Sequence, residues 1–207
     1  MRNFEIKYQN GRSMIEMLGV LAIIGVLSVG GIAGYSKAMM KHRINKTIEQ
    51  ITLIAGNVHA FWGPQKNYIG VRCYCNSAGC YGQSSGDGCP IVKKAKIFPD
   101  EMITINAAGK ITSITNPFGG GVSLAEEEDN KAFSIAYYDI PDEVCIELLT
   151  YDWTVANINI ITISDDDGAL HDLKVPVSVE GAVNMCTNRY DTVIMFFADS
   201  SLSGEVK

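Results

Sequence analysis

The 207-residue sequence predicts an α+β fold, in which one long N-terminal helix packs on an antiparallel β-sheet head closed by disulfides. Three observations support this prediction. Residues 17–36 form an uncharged apolar stretch that continues into a helical period. From residue 102 onward, short β-branched runs alternate with turn residues. Six cysteines, an even number, follow the helical part.

The composition excludes several classes of protein. A hydrophobic fraction of 47% is that of a folded chain and argues against wholesale disorder. The net charge of −6, without a basic stripe, argues against nucleic acid as the main partner, because phosphate binding needs clustered Lys and Arg. The three histidines (His42, His59 and His171) are too scattered for a His-rich metal centre. We therefore expect no metal and no cofactor.

The apolar stretch at residues 17–36 predicts a membrane-spanning helix. Its 20 uncharged residues would extend about 30 Å as a helix, which is the thickness of a bilayer core. A buried core helix is the alternative, but such a helix rarely runs this long without a polar face. A secretory signal with cleavage after the run, near Ala33 or Ala38, is a second alternative with a usually shorter apolar run.

The residues before the apolar stretch are more informative. The leader MRNFEIKYQNG is short, polar and slightly basic, and it ends in Gly11. Glu16 then stands at the edge of the apolar helix, where a carboxylate costs up to about 2.5–3.5 kcal/mol if carried to mid-bilayer. One explanation for Glu16 is that it lies at the membrane interface in the first turn of the helix, where the helix dipole favours a carboxylate. The other is that its carboxylate is retained because it binds a partner.

This whole pattern resembles the class III signal of type IV prepilins: a short basic leader, Gly11, a Glu five residues later, and an unbroken apolar helix. The resemblance implies cleavage between Gly11 and Arg12 by a prepilin peptidase, followed by N-methylation of Arg12. It also implies that Glu16 pairs with the terminal ammonium of a neighbouring subunit during assembly. The sequence departs from the family pattern in two respects. Arg12 stands where pilins usually carry an apolar residue, and the apolar helix contains no proline.

The helical period becomes one-sided after Tyr35 and predicts an amphipathic continuation of the same helix over 37–62. The apolar positions are spaced by three and four residues: Met40, Ile44, Ile48, Ile51, Ala55 and Val58. Such a stripe is typical of a helix that packs on a core. Pro64 marks the end of the helix.

Residues 63–101 predict a connecting loop rich in Gly and Cys. The spacing Cys73-x-Cys75-x4-Cys80-x8-Cys89 does not match the paired knuckles of structural zinc. In an exported chain it favours two disulfides. Their pairing stays open, although Cys73 and Cys75 cannot easily bridge each other. In pilins, which the N-terminus resembles, this segment is exposed and variable.

Residues 102–207 predict the β-sheet head. The expected strands and helices are a hairpin of 102–106 and 110–115, a strand at 132–139, a helix opening at Pro141, a strand at 153–164, a helix at 178–189 and a strand at 191–198.

Four segments of the head contain residues that could indicate metal binding, catalysis or phosphate binding. Asp165–Gly168 lacks the alternating ligands and final Glu of a calcium loop. The acidic run 126–129 predicts a solvated loop. His171 and Asp172 have no nucleophile motif, and Gly119–Gly121 lacks the context of a phosphate loop. We therefore expect that the protein is not an enzyme.

The head resembles those of type IVb pilins of thin conjugative and enteric pili. The resemblance rests on the Asn-Pro-Phe-Gly-Gly turn at 116–120, the Ile-Pro-x3-Cys element at 140–145 and the Ala-x3-Cys element at 182–186. It implies the pilin fold, with Cys145 bonded to Cys186 around a C-terminal disulfide-bounded region. The expected organisation is thus a leader (1–11), a filament-core helix (12–36), its amphipathic half (37–62), the loop (63–101) and the head (102–207).

The function implied by the resemblance is that of a structural subunit of a type IVb-like pilus. Its implied partners are identical or related pilins, prepilin peptidase, an inner-membrane platform protein and an assembly ATPase. The precursor would span the inner membrane once and then enter an extracellular pilus. Two alternatives stay open: a minor pilin or secretion-system pseudopilin, and a membrane-anchored extracytoplasmic binding module that forms no polymer.

Overall fold

The computed structural model describes residues 14–76, 79–82, 87–127, 129–164, 169–186 and 193–198. The chain divides into two compact units, residues 1–42 and 43–207. Each unit is described by itself, although helix α1 (Met14–Trp62) contributes residues to both.

The described part of the first unit, residues 14–42, is entirely helical. Ala, Leu, Ile and Val dominate it, and no proline interrupts the hydrogen-bond ladder. The helix predicted from the apolar stretch is therefore confirmed.

In the second unit, α1 buries one stripe against the head. The buried residues recur every three or four positions: Ile44, Thr47, Gln50, Ile51, Ile54, Ala55, Val58 and Trp62. The helix ends at Trp62, and a 3-10 turn over Gly63–Gln65 places Pro64 just beyond it. The predicted apolar stripe is confirmed in part: Ile44, Ile51, Ala55 and Val58 are buried, whereas Met40 and Ile48 are only half-buried. The helix ends at residue 62, as predicted.

Beyond α1, the second unit contains three short helices and nine strands among the described residues, and we call this part of the unit, residues 63–207, the head from here on. The helices are α2 (Pro90–Lys94), α3 (Asp142–Thr150) and α4 (Val179–Cys186). The strands are β1 (Tyr74–Asn76), β2 (Gly79–Tyr81), β3 (Ile103–Ile105), β4 (Ile111–Ile114), β5 (Val122–Glu127), β6 (Ala132–Tyr137), β7 (Ile158–Ser164), β8 (Leu170–Lys174) and β9 (Val193–Ala198).

Five strands form one antiparallel sheet in the order β5-β6-β9-β7-β8, and β1–β2 and β3–β4 form separate hairpins. All six residues of β6 are buried, as expected for an inner strand covered on both faces. At the β5 edge, Cys73 and Leu124 exchange both backbone hydrogen bonds, so the cysteine-rich segment covers part of that edge. The predicted α+β class is confirmed.

Aromatic side chains fill the core beneath the sheet. Trp153 is fully buried, and its ring packs against that of Phe196 at a tilt of 59° with 4.9 Å between the centroids. Its indole N–H donates to the Leu148 carbonyl at 2.7 Å. This bond satisfies the only polar atom of the Trp side chain, which burial would otherwise penalise.

Strands β5 and β8 were not among the predicted strands, and the structure differs from the sequence prediction in three further respects. Residues 63–101 contain the β1–β2 hairpin and α2, which the sequence did not predict. The predicted solvated loop at 126–129 is wrong for Glu126 and Glu127, because both residues pair with β6 as the end of β5. The predicted strand at 153–164 begins only at Ile158, since a 3-10 turn over Thr154–Ala156 precedes it.

Candidate functional site

The first unit presents an apolar surface that nothing in the single chain covers. Every residue from 14 to 38 is exposed, and thirteen of them are large hydrophobic side chains. The helix is long and apolar enough to cross a membrane, by its length and composition. A segment of this kind requires lipid or other protein as its surroundings, because exposed apolar area in water is unfavourable.

The two serines within this stretch are satisfied by the helix itself. The Ser28 hydroxyl donates to the Ile24 carbonyl at 2.7 Å, and the Ser36 hydroxyl donates to the Ile32 carbonyl at 3.0 Å. Backbone groups of a helix are likewise bonded within the segment. Neither serine therefore needs a partner from outside, and the surface is effectively apolar from Met17 to Ala33.

Glu16 lies in the first turn of α1, exposed, at the N-terminal edge of the apolar surface. At this position the positive end of the helix dipole favours a carboxylate. Gly11 and Arg12, the predicted cleavage site and the predicted methylated residue, lie outside the described residues.

All six cysteines are bonded. Cys145 on α3 joins Cys186 on α4, with 5.8 Å between their Cα atoms, and this is the pair that the family resemblance implies. The bond spans 41 residues, which corresponds to about 4 kcal/mol in the chain-entropy model. It fixes the two helices that flank the sheet.

The four remaining cysteines pair as Cys73–Cys89 and Cys75–Cys80. The second bond joins directly opposite residues of β1 and β2 and closes that hairpin. The first ties the hairpin to the start of α2. With every thiol in a disulfide, these cysteines offer neither a metal site nor a reactive thiolate.

A polar brace holds α1 to the segment after α2. The Gln50 amide donates to the Glu101 carboxylate at 3.3 Å, and the Lys46 ammonium lies 3.2 Å from the same oxygen. Both interactions lower the pKa of the Glu101 carboxyl, and the hydrogen bond from the Gln50 amide has the larger effect. Two turns further on, the Asn57 amide donates to the Lys96 and Ile97 carbonyls at 3.3 and 3.1 Å. No local sequence pattern predicts this brace, because its partners are about 40 to 55 positions apart.

The head offers no catalytic constellation among its described residues. Asp172 accepts a hydrogen bond from the Thr162 hydroxyl at 2.5 Å, and this bond links the neighbouring strands β7 and β8. Gly120 packs its backbone against the Tyr138 carbonyl in a turn and does not open a helix. No group of three or more His, Cys, Asp or Glu among these residues is placed to hold a metal ion. The calcium candidate at 165–168 lies outside the described residues.

The comparison with known families gives one match. The family model described as PilS N terminal matches residues 41–198, which is more than half of the chain. The match thus covers the second half of α1 and the head. No curated protein matches the sequence.

Among solved structures, the chain is similar to a type IVb pilin from Salmonella typhi. The two share 17% sequence identity, with 73% of this chain and 97% of that chain covered and a TM-score of 0.49. The family assignment therefore rests on the family model.

Proposed function

The chain belongs to the PilS family of type IVb pilins, and from this membership we propose that it polymerises into a pilus through its N-terminal helix. Pilins are structural subunits rather than enzymes. The observation that supports this mechanism is the uncovered apolar surface of residues 14–38 with Glu16 at its edge. A bundle of identical helices would cover that surface as a bilayer does.

The proposed maturation step is cleavage between Gly11 and Arg12 by prepilin peptidase. Cleavage would leave Arg12 as a new N-terminus, four residues before Glu16, with N-methylation of its amine. The leader carries the polar residues that would otherwise have to enter the bundle with the helix. The precursor would reside in the inner membrane, and a platform protein and an assembly ATPase would extract it into the extracellular filament.

The proposed role of Glu16 is to fix the axial register of each incoming subunit. Burial of apolar area stabilises a helix bundle by roughly 25 cal/mol per Å² but does not distinguish one register from the next. A carboxylate and a neighbour's terminal ammonium attract strongly in a low dielectric, and a misaligned pair leaves both charges unpaired at a large penalty. Burial thus supplies the affinity, and the ion pair supplies the specificity.

Substitution of Glu16 tests the mechanism. Glu16→Gln keeps the size and hydrogen-bonding capacity of the side chain and removes its charge. We expect the amount of filament sheared from the cells to fall by at least about tenfold, because about 1.4 kcal/mol at each subunit contact already changes an equilibrium tenfold. Membrane insertion should be unchanged.

Glu49→Gln is the matched control, since it removes an exposed carboxylate from the same helix outside the apolar surface. Normal filaments from the Glu16→Gln variant would contradict the mechanism. The abundance of the wild-type chain in sheared filaments separates a major subunit from a minor pilin or pseudopilin. An anchored binding module would give no filament at all.

A further inference from the structure

Three lysines are concentrated at the end of α2 and in the turn after it. Lys94 and Lys96 are exposed, and Lys93 is half-buried with its ammonium group hydrogen-bonded to the Gly109 carbonyl. Across the part of the chain that the structure describes, no carboxylate forms a salt bridge with any of the three. These three ammonium groups therefore have no ion-pair partner in the described part of the head.

A small apolar pocket lies beside two of these lysines, Lys93 and Lys96. It has a volume of about 130 Å³, and Lys93, Lys96 and Asp100 line it together with an apolar floor. The floor consists of Val92, Phe98, Ile103, Ile105 and Ile111. We call the three lysines and this pocket the lysine surface. Its chemistry suits a partner with negative charges around a small apolar group.

Another part of the same chain carries negative charges around a small apolar side chain. Asp139, Asp142 and Glu143 lie between the end of β6 and the first turn of α3, and Pro141 is exposed in their midst. Asp139 and Glu143 are exposed as well. No described residue forms a salt bridge with any of these three carboxylates. We call this the acidic surface.

Symmetry and charge both point to a second copy as the partner. A helical filament is built from heterologous contacts, in which one patch of a subunit meets a different patch of the next. The lysine and acidic surfaces are two such patches: the first carries three ammonium groups and the carboxylate of Asp100, and the second carries three carboxylates. The net charge of the chain is −6, so the chain outside the lysine surface is still more acidic and complements it.

We propose that the lysine surface of one head contacts the acidic surface of a neighbouring head in the filament. The contact rests on the proposed function, because it requires that the chain polymerises. It adds a second interface to that of the N-terminal helices. Complementary charges would orient the incoming head, and the pocket would receive the exposed proline ring.

Charge reversal with compensation tests the contact in cells that carry the assembly machinery. Lys94→Glu with Lys96→Glu reverses the exposed part of the lysine surface and spares Lys93, which is bonded within the head. Asp139→Lys with Glu143→Lys reverses the acidic surface. We expect each double variant to lower the yield of sheared filaments by about tenfold or more, because like charges across a contact repel. The combination of all four changes should restore at least half of the wild-type yield.

Lys131→Glu with Lys174→Glu is the control, since it reverses two exposed lysines elsewhere on the head and should leave the yield unchanged. Mobility on non-reducing gels and resistance to protease show whether each variant folds. Loss of yield without restoration in the combined variant would overturn the proposal, and so would loss in only one of the two double variants. If wild type forms filaments that Glu16→Gln abolishes while both reversals assemble normally, this contact is wrong and the proposed function stands. Absence of wild-type filaments would overturn both.

Discussion

Two buried tyrosines in the head differ in whether their hydroxyl has a hydrogen-bond partner. The Tyr68 hydroxyl lies 3.4 Å from Nδ1 of His59. The Tyr137 hydroxyl, on the innermost part of the sheet, has no partner among the described residues. Burial alone raises the pKa of Tyr137 far above its ordinary value, so the phenol stays neutral. A buried hydroxyl without a hydrogen bond destabilises the fold, because its desolvation penalty is not offset by a new interaction.

We therefore predict that Tyr137→Phe stabilises the head or leaves its stability unchanged. Removal of the unpartnered hydroxyl should raise the free energy of unfolding by up to about 1 kcal/mol. Thermal unfolding of the full chain in detergent micelles, followed by near-UV circular dichroism, measures the change. Tyr68→Phe is the matched control and should destabilise the head by about 0.5–1.5 kcal/mol, since it removes a bonded hydroxyl. A larger loss from Tyr137→Phe than from Tyr68→Phe would contradict this account.

The polar brace at Glu101 gives a prediction about pH. Because the Gln50 bond and the Lys46 charge lower the pKa of the Glu101 carboxyl, the brace is fully stabilising above the unfolded-state pKa of about 4.3. Its contribution is lost as the pH falls through the lower, folded-state pKa. The side chain is about half exposed, so the contribution is small.

Glu101→Gln should thus reduce the free energy of unfolding by about 0.5 kcal/mol near pH 7, and the difference from wild type should be smaller near pH 3. Urea unfolding at the two pH values measures it. A difference that persists or grows at the acidic value would mean that the carboxylate does not stabilise the fold in this way.

Among the elements, the turn between β4 and β5 depends on one close backbone approach. The buried Asn116 side chain accepts hydrogen bonds from the N–H groups of Phe118 and Gly120 and donates to the Tyr138 carbonyl at 2.8 Å. A Cβ at Gly120 would lie 1.9 Å from that same carbonyl oxygen. Only glycine therefore lets the turn close on the residue after β6.

Gly120→Ala should consequently destabilise the head by more than about 2 kcal/mol, since backbone rather than a flexible side chain must move. Gly56→Ala is the matched control: its Cβ would meet nothing within 4 Å on the exposed side of α1, and alanine favours the helix. We expect that control to gain up to about 1 kcal/mol in thermal unfolding. Equal effects of the two substitutions would show that the turn is not closed by this contact.

The elements that sequence could predict are those with a strong local period. Helix α1 follows from its apolar stretch and stripe, and the start of α3 follows from Pro141 and two acids. Strand β5 was missed because Glu126 and Glu127 end it. Their carboxylates are satisfied by Arg72 at 3.2 Å and by the Ser134 hydroxyl at 2.7 Å, and both partners come from other elements.

The disulfide pairing of the loop could not be predicted for a related reason. Cys75 and Cys80 become neighbours only because β1 and β2 pair, and three-residue strands give little sequence signal. The same distinction between local and tertiary features applies to the candidate functional surfaces. Glu16 and the apolar surface are local features of the sequence, whereas the lysine and acidic surfaces depend on which elements fold beside them.

For the whole molecule, the family membership confirms the resemblance to type IVb pilins. The exposed hydrophobic side chains of residues 14–35 set the energy scale of the proposed assembly. Burial of one large apolar side chain contributes about 1.5–3 kcal/mol, so the thirteen together are worth on the order of 20 kcal/mol. This exceeds the cost of one carboxylate in the bilayer several-fold. One carboxylate at Glu16 therefore does not prevent membrane insertion of the helix.

The most direct test of this account is the mass of the N-terminal peptide of the chain recovered from sheared filaments. Cleavage and assembly as proposed predict a peptide that begins at Arg12, carries one added methyl group on its amine, and retains Glu16. A chain in the filaments that begins at Met1 would contradict the maturation step. A chain that begins downstream of Ser36 would lack the entire apolar helix, and assembly through that helix would then be excluded.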